Sequence, residues 1–140
     1  MFWMSFEDFV KNFNKIYVCR IYDDDTGEKW LGEVLQGEWT ADTSGGCMNT
    51  SGWTRNPQYS LSVSQNTPMF ITLAQPDVRA QGQQYYKDGI GFYILKHSSS
   101  KFKKLQLFDG EIINKTEFVA AREVSCEVTL EKGEYQHFLF

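Results

Sequence analysis

Long apolar stretches are missing from this sequence. No run reaches the roughly eighteen apolar residues that would mark a membrane-crossing helix. The opening Met1-Phe2-Trp3-Met4-Ser5-Phe6-Glu7-Asp8 lacks the basic flank and apolar stretch of an export signal. A cytoplasmic protein, at most peripheral to membranes, is therefore expected. Cysteine is scarce. Cys19, Cys47 and Cys126 are odd in number, far apart and without a C-x-x-C pair, which points away from a disulfide scaffold or a zinc site. They read as buried thiols of a reducing compartment. Histidine is scarcer still. His97 adjoins Ser98-Ser99-Ser100, a loop composition, and His137 lies in an aromatic terminal run, so no Cys/His catalytic couple is expected. No G-x-S-x-G, H-E-x-x-H or phosphate-cradling glycine loop occurs. Basic residues are not in excess: 14 Lys and Arg against 18 Asp and Glu give a net charge of -4, and no nucleic-acid partner is expected. Asn49-Thr50-Ser51 and Asn114-Lys115-Thr116 fit the glycosylation sequon but read as chance matches without an export signal.

What the sequence does have is aromatic and β-branched residues. The hydrophobic fraction is 41% and the aromatic fraction 16%, which excludes disorder and leans towards strands. One segment reads as a helix. Phe6, Phe9, Val10 and Phe13 share a face at i, i+3, i+4 and i+7, Ser5 and Asp8 resemble a capping box, and Lys11 and Lys15 suit the C-terminal end. This predicts an amphipathic helix over 5–14 whose phenylalanines need a surface to dock on. Beyond it the period changes. Runs at 16–22, 30–40, 59–63, 69–74, 90–95, 102–108, 117–130 and 135–140 are separated by turn signals such as Asp88-Gly89, Asp109-Gly110 and Lys132-Gly133. The pattern predicts a mainly β protein, an antiparallel β-sandwich of about eight strands with one short N-terminal helix. Residues 1–15 form the helical part and 16–140 the sandwich. No repeat or low-complexity linker interrupts it.

Three stretches invite chemistry. Asp23, Asp24 and Asp25, with Glu28, read either as a solvated hairpin turn or as oxygen ligands for calcium, although Gly27 comes too early for an EF-hand loop. Lys101-Phe102-Lys103-Lys104 is the one compact basic patch. It reads as a strand edge guarded by lysines or as a contact for an anionic membrane or partner, worth at best about 1 kcal/mol per lysine. The third and most distinctive stretch is 35–63. Gly45 and Gly46 permit unusual backbone geometry, Pro57 stiffens the approach to the next strand, and Trp39 and Trp53 are large enough to anchor a loop on a core. Between those glycines and Met48, Cys47 reads as a small buried thiol with no adjacent base.

The order Gly37-x-Trp39, Gly45-Gly46-Cys47-x-Asn49, Trp53, Asn56-Pro57-Gln58-Tyr59 resembles the signature of calpain domain III. Phe2 to Phe9 with Phe13 looks like the end of the calpain protease core. Phe70-Ile71-Thr72-Leu73-Ala74-Gln75 and Leu130-Glu131-Lys132-Gly133-Glu134-Tyr135 are similar to later strands of the domain. The resemblance implies a C2-like regulatory sandwich of a calcium-dependent cysteine endopeptidase, packed on the protease core and able to contact phospholipid. The blocks carrying that family's catalytic Cys, His and Asn are not in this sequence, so no catalytic residue is carried over and no enzymatic activity is expected of the chain by itself.

Conventional calpains place a long acidic loop where this sequence reads Ser62-Val63-Ser64-Gln65-Asn66-Thr67-Pro68, which holds no carboxylate. An atypical calpain without that loop's calcium switch is the better match. The family pattern also leads one to expect a fragment that lacks its last strand, leaving a sheet edge open for self-association. The rival reading is a free-standing protein-interaction module with no protease partner; a small hydrolase with a dispersed site is a third.

Overall fold

The computed structural model describes residues 2–14, 16–19, 30–97 and 103–139. It divides into two compact units, Met1–Leu35 and Gln36–Phe140.

The first unit contains helix α1, Phe6–Asn12. The Ser5 hydroxyl oxygen accepts from the Asp8 amide at 3.1 Å and the hydroxyl donates to the Asp8 carboxylate at 3.0 Å, so the N-terminal cap is made by the residues the sequence indicated. Glu7 and Asp8 occupy the first turn and Lys11 the last, matching the helix dipole. Phe9 and Phe13 stack at 5.1 Å. The helix is shorter than the expected 5–14 because Phe13 is already extended at the C-cap.

The second unit is the sandwich. Its strands among the described residues are β1 Gln58–Val63, β2 Thr67–Ala74, β3 Phe92–Lys96, β4 Ile112–Lys115, β5 Glu123–Leu130 and β6 Gly133–Leu139. They form a four-stranded sheet in the order β1-β6-β3-β4 and a two-stranded sheet of β2 and β5, all pairs antiparallel. Alternation explains the assembly. In β2 and β5 the facing pairs Met69 and Val128, Ile71 and Cys126, and Leu73 and Val124 point to one side, while Phe70, Thr72, Ser125 and Glu127 point to the other. That apolar side meets Val63, Phe92, Ile94 and Tyr135 of the larger sheet, and together they make one core. Burying Phe92 completely contributes on the order of 2 kcal/mol.

The larger sheet is covered on its other face as well. Ile94 and Leu95 are neighbours along β3 and so point to opposite faces of the sheet, while the pairing with β4 shifts register between them. Leu95 packs with Met48, Trp53 and Tyr93 on the face away from the sandwich core. The segment before β1 therefore contributes to both faces, with Trp39 against the main core and Trp53 against the second.

Among the described residues six strands stand where about eight were expected. The runs at 59–63, 69–74, 90–95, 117–130 and 135–140 overlap β1, β2, β3, β5 and β6. Within 30–40 and 103–108 the described residues form no strand, and side chains take some of the backbone groups a ladder would use. The Thr43 hydroxyl donates to the Glu38 carbonyl at 3.0 Å and accepts from the Thr40 amide at 2.7 Å. Likewise the Gln58 side chain takes both the amide and the carbonyl of Lys104. Residues 16–19 are irregular too, and 20–22 lie outside the described residues. Strand β4 was not anticipated. The cysteines also differ from expectation: Cys19 and Cys47 are exposed and Cys126 is half-buried, where burial pushes its thiol up.

Candidate functional site

The loop from Gly45 to Pro57 is built around one side chain. Asn56 is 1% exposed, and its carboxamide oxygen accepts from the Gly45 amide at 3.0 Å. Its Nδ2 donates to the carbonyls of Gly46 at 2.7 Å and Trp53 at 3.0 Å. A buried amide thus replaces the ladder that the loop lacks. The loop closes tightly enough that a Cβ on Gly45 would overlap the Gly52 carbonyl, and Gly46 turns with φ +75°. The Thr50 hydroxyl lies 2.6 Å from the Gly45 carbonyl and 2.8 Å from that of Cys47. A similar close approach occurs at Gly37, where only a hydrogen leaves room for the Tyr59 hydroxyl to donate to the Gln36 carbonyl at 3.3 Å.

Following the turn, Met48 and Trp53 reach Leu95 while Cys47 and Asn49 stay at the surface. The loop inserts the methionine, not the thiol, into the second core. Pro57 is half-buried and sets the extended geometry that starts β1.

Across from this loop runs the segment Lys103–Phe108. Gln58 pins its start: Gln58 Oε1 accepts from the Lys104 amide at 2.8 Å, and Nε2 donates to the Lys104 carbonyl at 3.2 Å and the Thr54 carbonyl at 3.0 Å. Glu111 pins its end by accepting from the Phe108 amide at 2.7 Å. The Glu111 carboxylate also meets Lys104 Nζ at 2.7 Å. Burial pushes the Glu111 carboxyl up, but the Lys104 hydrogen bond, the Phe108 amide and the nearby charges of Lys104 and His97 outweigh it, leaving the carboxyl below the usual glutamate range. Between the segment and the loop lies an open groove of about 390 Å³ lined by Met48, Trp53, Leu105, Gln106, Leu107 and Phe108.

The basic patch read from the sequence is therefore divided. Lys103 is exposed and its Nζ reaches the Arg55 carbonyl at 3.5 Å, whereas Lys104 is 7% exposed and held by Glu111. Lys101 lies outside the described residues, as do Asp23, Asp24 and Asp25, the calcium ligands suggested by the sequence. Among the described residues no three His, Cys, Asp or Glu side chains gather as a metal site. A separate charged group sits at the end of β2. Asp77 accepts from the Arg79 side chain and amide and lies 3.9 Å from Arg122, and these contacts hold its carboxyl far below the usual range. Asp77 is half-buried between exposed Arg79 and Arg122, and the cluster fixes the turn after β2.

The loop geometry gives the glycines, tryptophans and Asn56-Pro57 a joint purpose, and the comparison with known proteins runs through the same residues. Residues 35–136 match the family model for the calpain large subunit, domain III. The chain belongs to this family. It is 32% identical over 146 residues to a calpain-type cysteine protease, ADL1, of rice, covering 94% of the chain and 6% of that protein. It is 30% identical over 155 residues to a calpain of Schistosoma mansoni, with 96% of the chain and 20% of that protein covered. Human calpain-9 matches at 32% over 152 residues, with 96% of the chain and 22% of that protein. The chain thus spans less than a quarter of the length of these relatives.

Domain III is a non-catalytic part of calpains. The sequence block that pointed to the family is also the part that makes the loop: Gly37, Trp39, Gly45, Gly46, Trp53, Asn56 and Pro57 each have a packing or hydrogen-bonding reason, while Cys47 and Asn49 face solvent. Sequence reading missed the groove wall, Leu105, Leu107 and Phe108, and its clamp Glu111. The alternating Leu-Gln-Leu was visible; its exposure was not.

Proposed function

We propose that this chain is a non-catalytic regulatory β-sandwich of a calpain-type cysteine endopeptidase, one that packs on a protease core in the cytoplasm and touches anionic membrane surfaces weakly. The observation that carries the reading is the domain III match over 35–136, joined to a loop whose signature residues are used for architecture. The thiols support it. Burial raises the Cys126 thiol, the opposite of what a nucleophile needs.

Casein hydrolysis tests the main claim. The chain alone is expected to release no peptide, while the protease core of a calpain relative changes its rate when the chain is added in excess. Hydrolysis by the chain alone that disappears on Cys47→Ser, or a core whose rate ignores the chain, refutes the proposal.

The membrane contact rests on exposed Lys103 together with Lys101, since Lys104 is committed to Glu111. Two lysines contribute at most about 2 kcal/mol, and the acidic loop of conventional calpains has no counterpart at 62–68. Sedimentation with phosphatidylserine vesicles is expected to give weak binding that is equal with and without calcium and is lost as salt rises. Strong calcium dependence contradicts it and returns attention to Asp23, Asp24 and Asp25.

A further inference from the structure

We infer that the groove between the Gly45–Pro57 loop and the Lys103–Phe108 segment takes an extended peptide of a partner protein by strand addition along Leu105–Leu107, with an acidic residue at its Lys103 end. Three observations lead there, and none depends on the regulatory reading above.

The backbone is the first. Lys104 and Phe108 are tied down by Gln58 and Glu111, but the amides and carbonyls of Leu105, Gln106 and Leu107 find no hydrogen-bond partner among the described residues. Among the described residues the segment is held at both ends and unpaired between them. An occupant that excludes water from such groups must supply their hydrogen bonds. An acyl chain cannot. An extended peptide can, since its own backbone presents both donors and acceptors.

The side chains are the second. Leu105 is 67% and Phe108 63% exposed, and they stand with Leu107 opposite Met48 and Trp53. A strand laid beside Leu105–Leu107 would drop alternate apolar side chains onto the thioether and the indole, the usual source of specificity in strand addition. The volume of about 390 Å³ accommodates a few such side chains.

The third is charge. Lys103 is exposed, directly precedes the groove wall and reaches the Arg55 carbonyl through its Nζ, so a cation stands at that end of the segment. Lys104 and Glu111 neutralise each other, and Asp109 follows Phe108 in the turn at the other end. An occupant with a carboxylate at the Lys103 end complements this arrangement.

The test uses the full chain and a fluorescently labelled synthetic octapeptide of alternating valine and serine with two glutamates at one end and lysine at the other. A second copy of the peptide carries N-methyl groups on alternate amides, which remove hydrogen bonds and leave the side chains. Saturable binding by anisotropy is expected, weakened about tenfold or more by N-methylation. Lys103→Glu is expected to weaken it several-fold, and Leu105→Asp to abolish it. Both positions are exposed, and an unchanged circular dichroism spectrum establishes that the variants fold. Hydrogen exchange is expected to slow at the amides of 105–107 on binding. Equal affinity for the N-methylated peptide, protection at the edge of β2 or β5 instead, or no binding at about 1 mM peptide overturns the inference. So does concentration-dependent dimerisation that Leu105→Asp abolishes, which would make a second copy of the chain the occupant.

Discussion

Replacing Asn56 with alanine is expected to destabilise the sandwich by about 2–3 kcal/mol. The side chain is 1% exposed and makes three hydrogen bonds to the backbone of its own loop. Two of the three partners keep another bond, because the Gly45 amide also reaches the Thr43 carbonyl and the Trp53 carbonyl also accepts from the Asn56 amide. The Gly46 carbonyl has no such second donor among the described residues and would be left without a partner in a closed loop. Urea denaturation checks this as a lower midpoint with an unchanged slope. Asn56→Asp separates the hydrogen bonds from the shape. Its carboxylate still accepts from Gly45 but faces two carbonyl oxygens, so the loss should be larger at neutral pH than in acid, where the carboxyl can donate. A change below about 0.5 kcal/mol in Asn56→Ala would mean that the loop is held by packing alone.

Gly45→Ala is expected to cost about 3 kcal/mol, the upper end for overpacking, because the obstacle is the backbone carbonyl of Gly52 and not a side chain that can swing away. Gly45 is not among the glycines with positive φ, so the effect is steric. Gly32→Ala is the matching control, with nothing near its Cβ, and should change stability by less than about 0.5 kcal/mol. Gly46→Ala falls between, about 1–2 kcal/mol for the left-handed backbone. If Gly45→Ala proved as mild as Gly32→Ala, the loop would have to be far more pliable than its hydrogen bonds imply. Melting followed by tryptophan fluorescence distinguishes local from global loss, since Trp53 lies in this loop and Trp39 packs on the main core.

These two residues also mark how far the sequence could be read. Strands with regular alternation, such as 69–74 and the second half of 117–130, were legible because the period fixes which face is apolar and the turn residues fix the ends. The stretch 30–40 has the same composition, but the Thr40 and Thr43 hydroxyls draw its backbone into a turn, and composition carries no information about such bonds. Strand β4 is not legible because Ile112–Lys115 is four residues long and follows a turn signal directly. Asn56 read as a turn residue before proline. Its buried hydrogen bonds depend on Gly45 and Gly46, eleven and ten positions away, which no local pattern brings together. Lys104 looked like its neighbour Lys103. Only the folded chain shows that Glu111 claims one and solvent the other.

The strand order of the larger sheet has a consequence for how the molecule comes into being. Strand β6, the last in sequence of the six described, lies between β1 and β3. Residues as distant as Gln58 and Phe138 must meet before that sheet has a centre. A ribosome therefore releases β1 on the order of several seconds before its neighbour exists. During that interval β1 and β3 have apolar faces and open edges, while β2 and β5 can already pair. Folding is then slow and late, governed by long-range closure. The nascent chain is most open to wrong edge pairing in the interval before β6 fills the gap between β1 and β3.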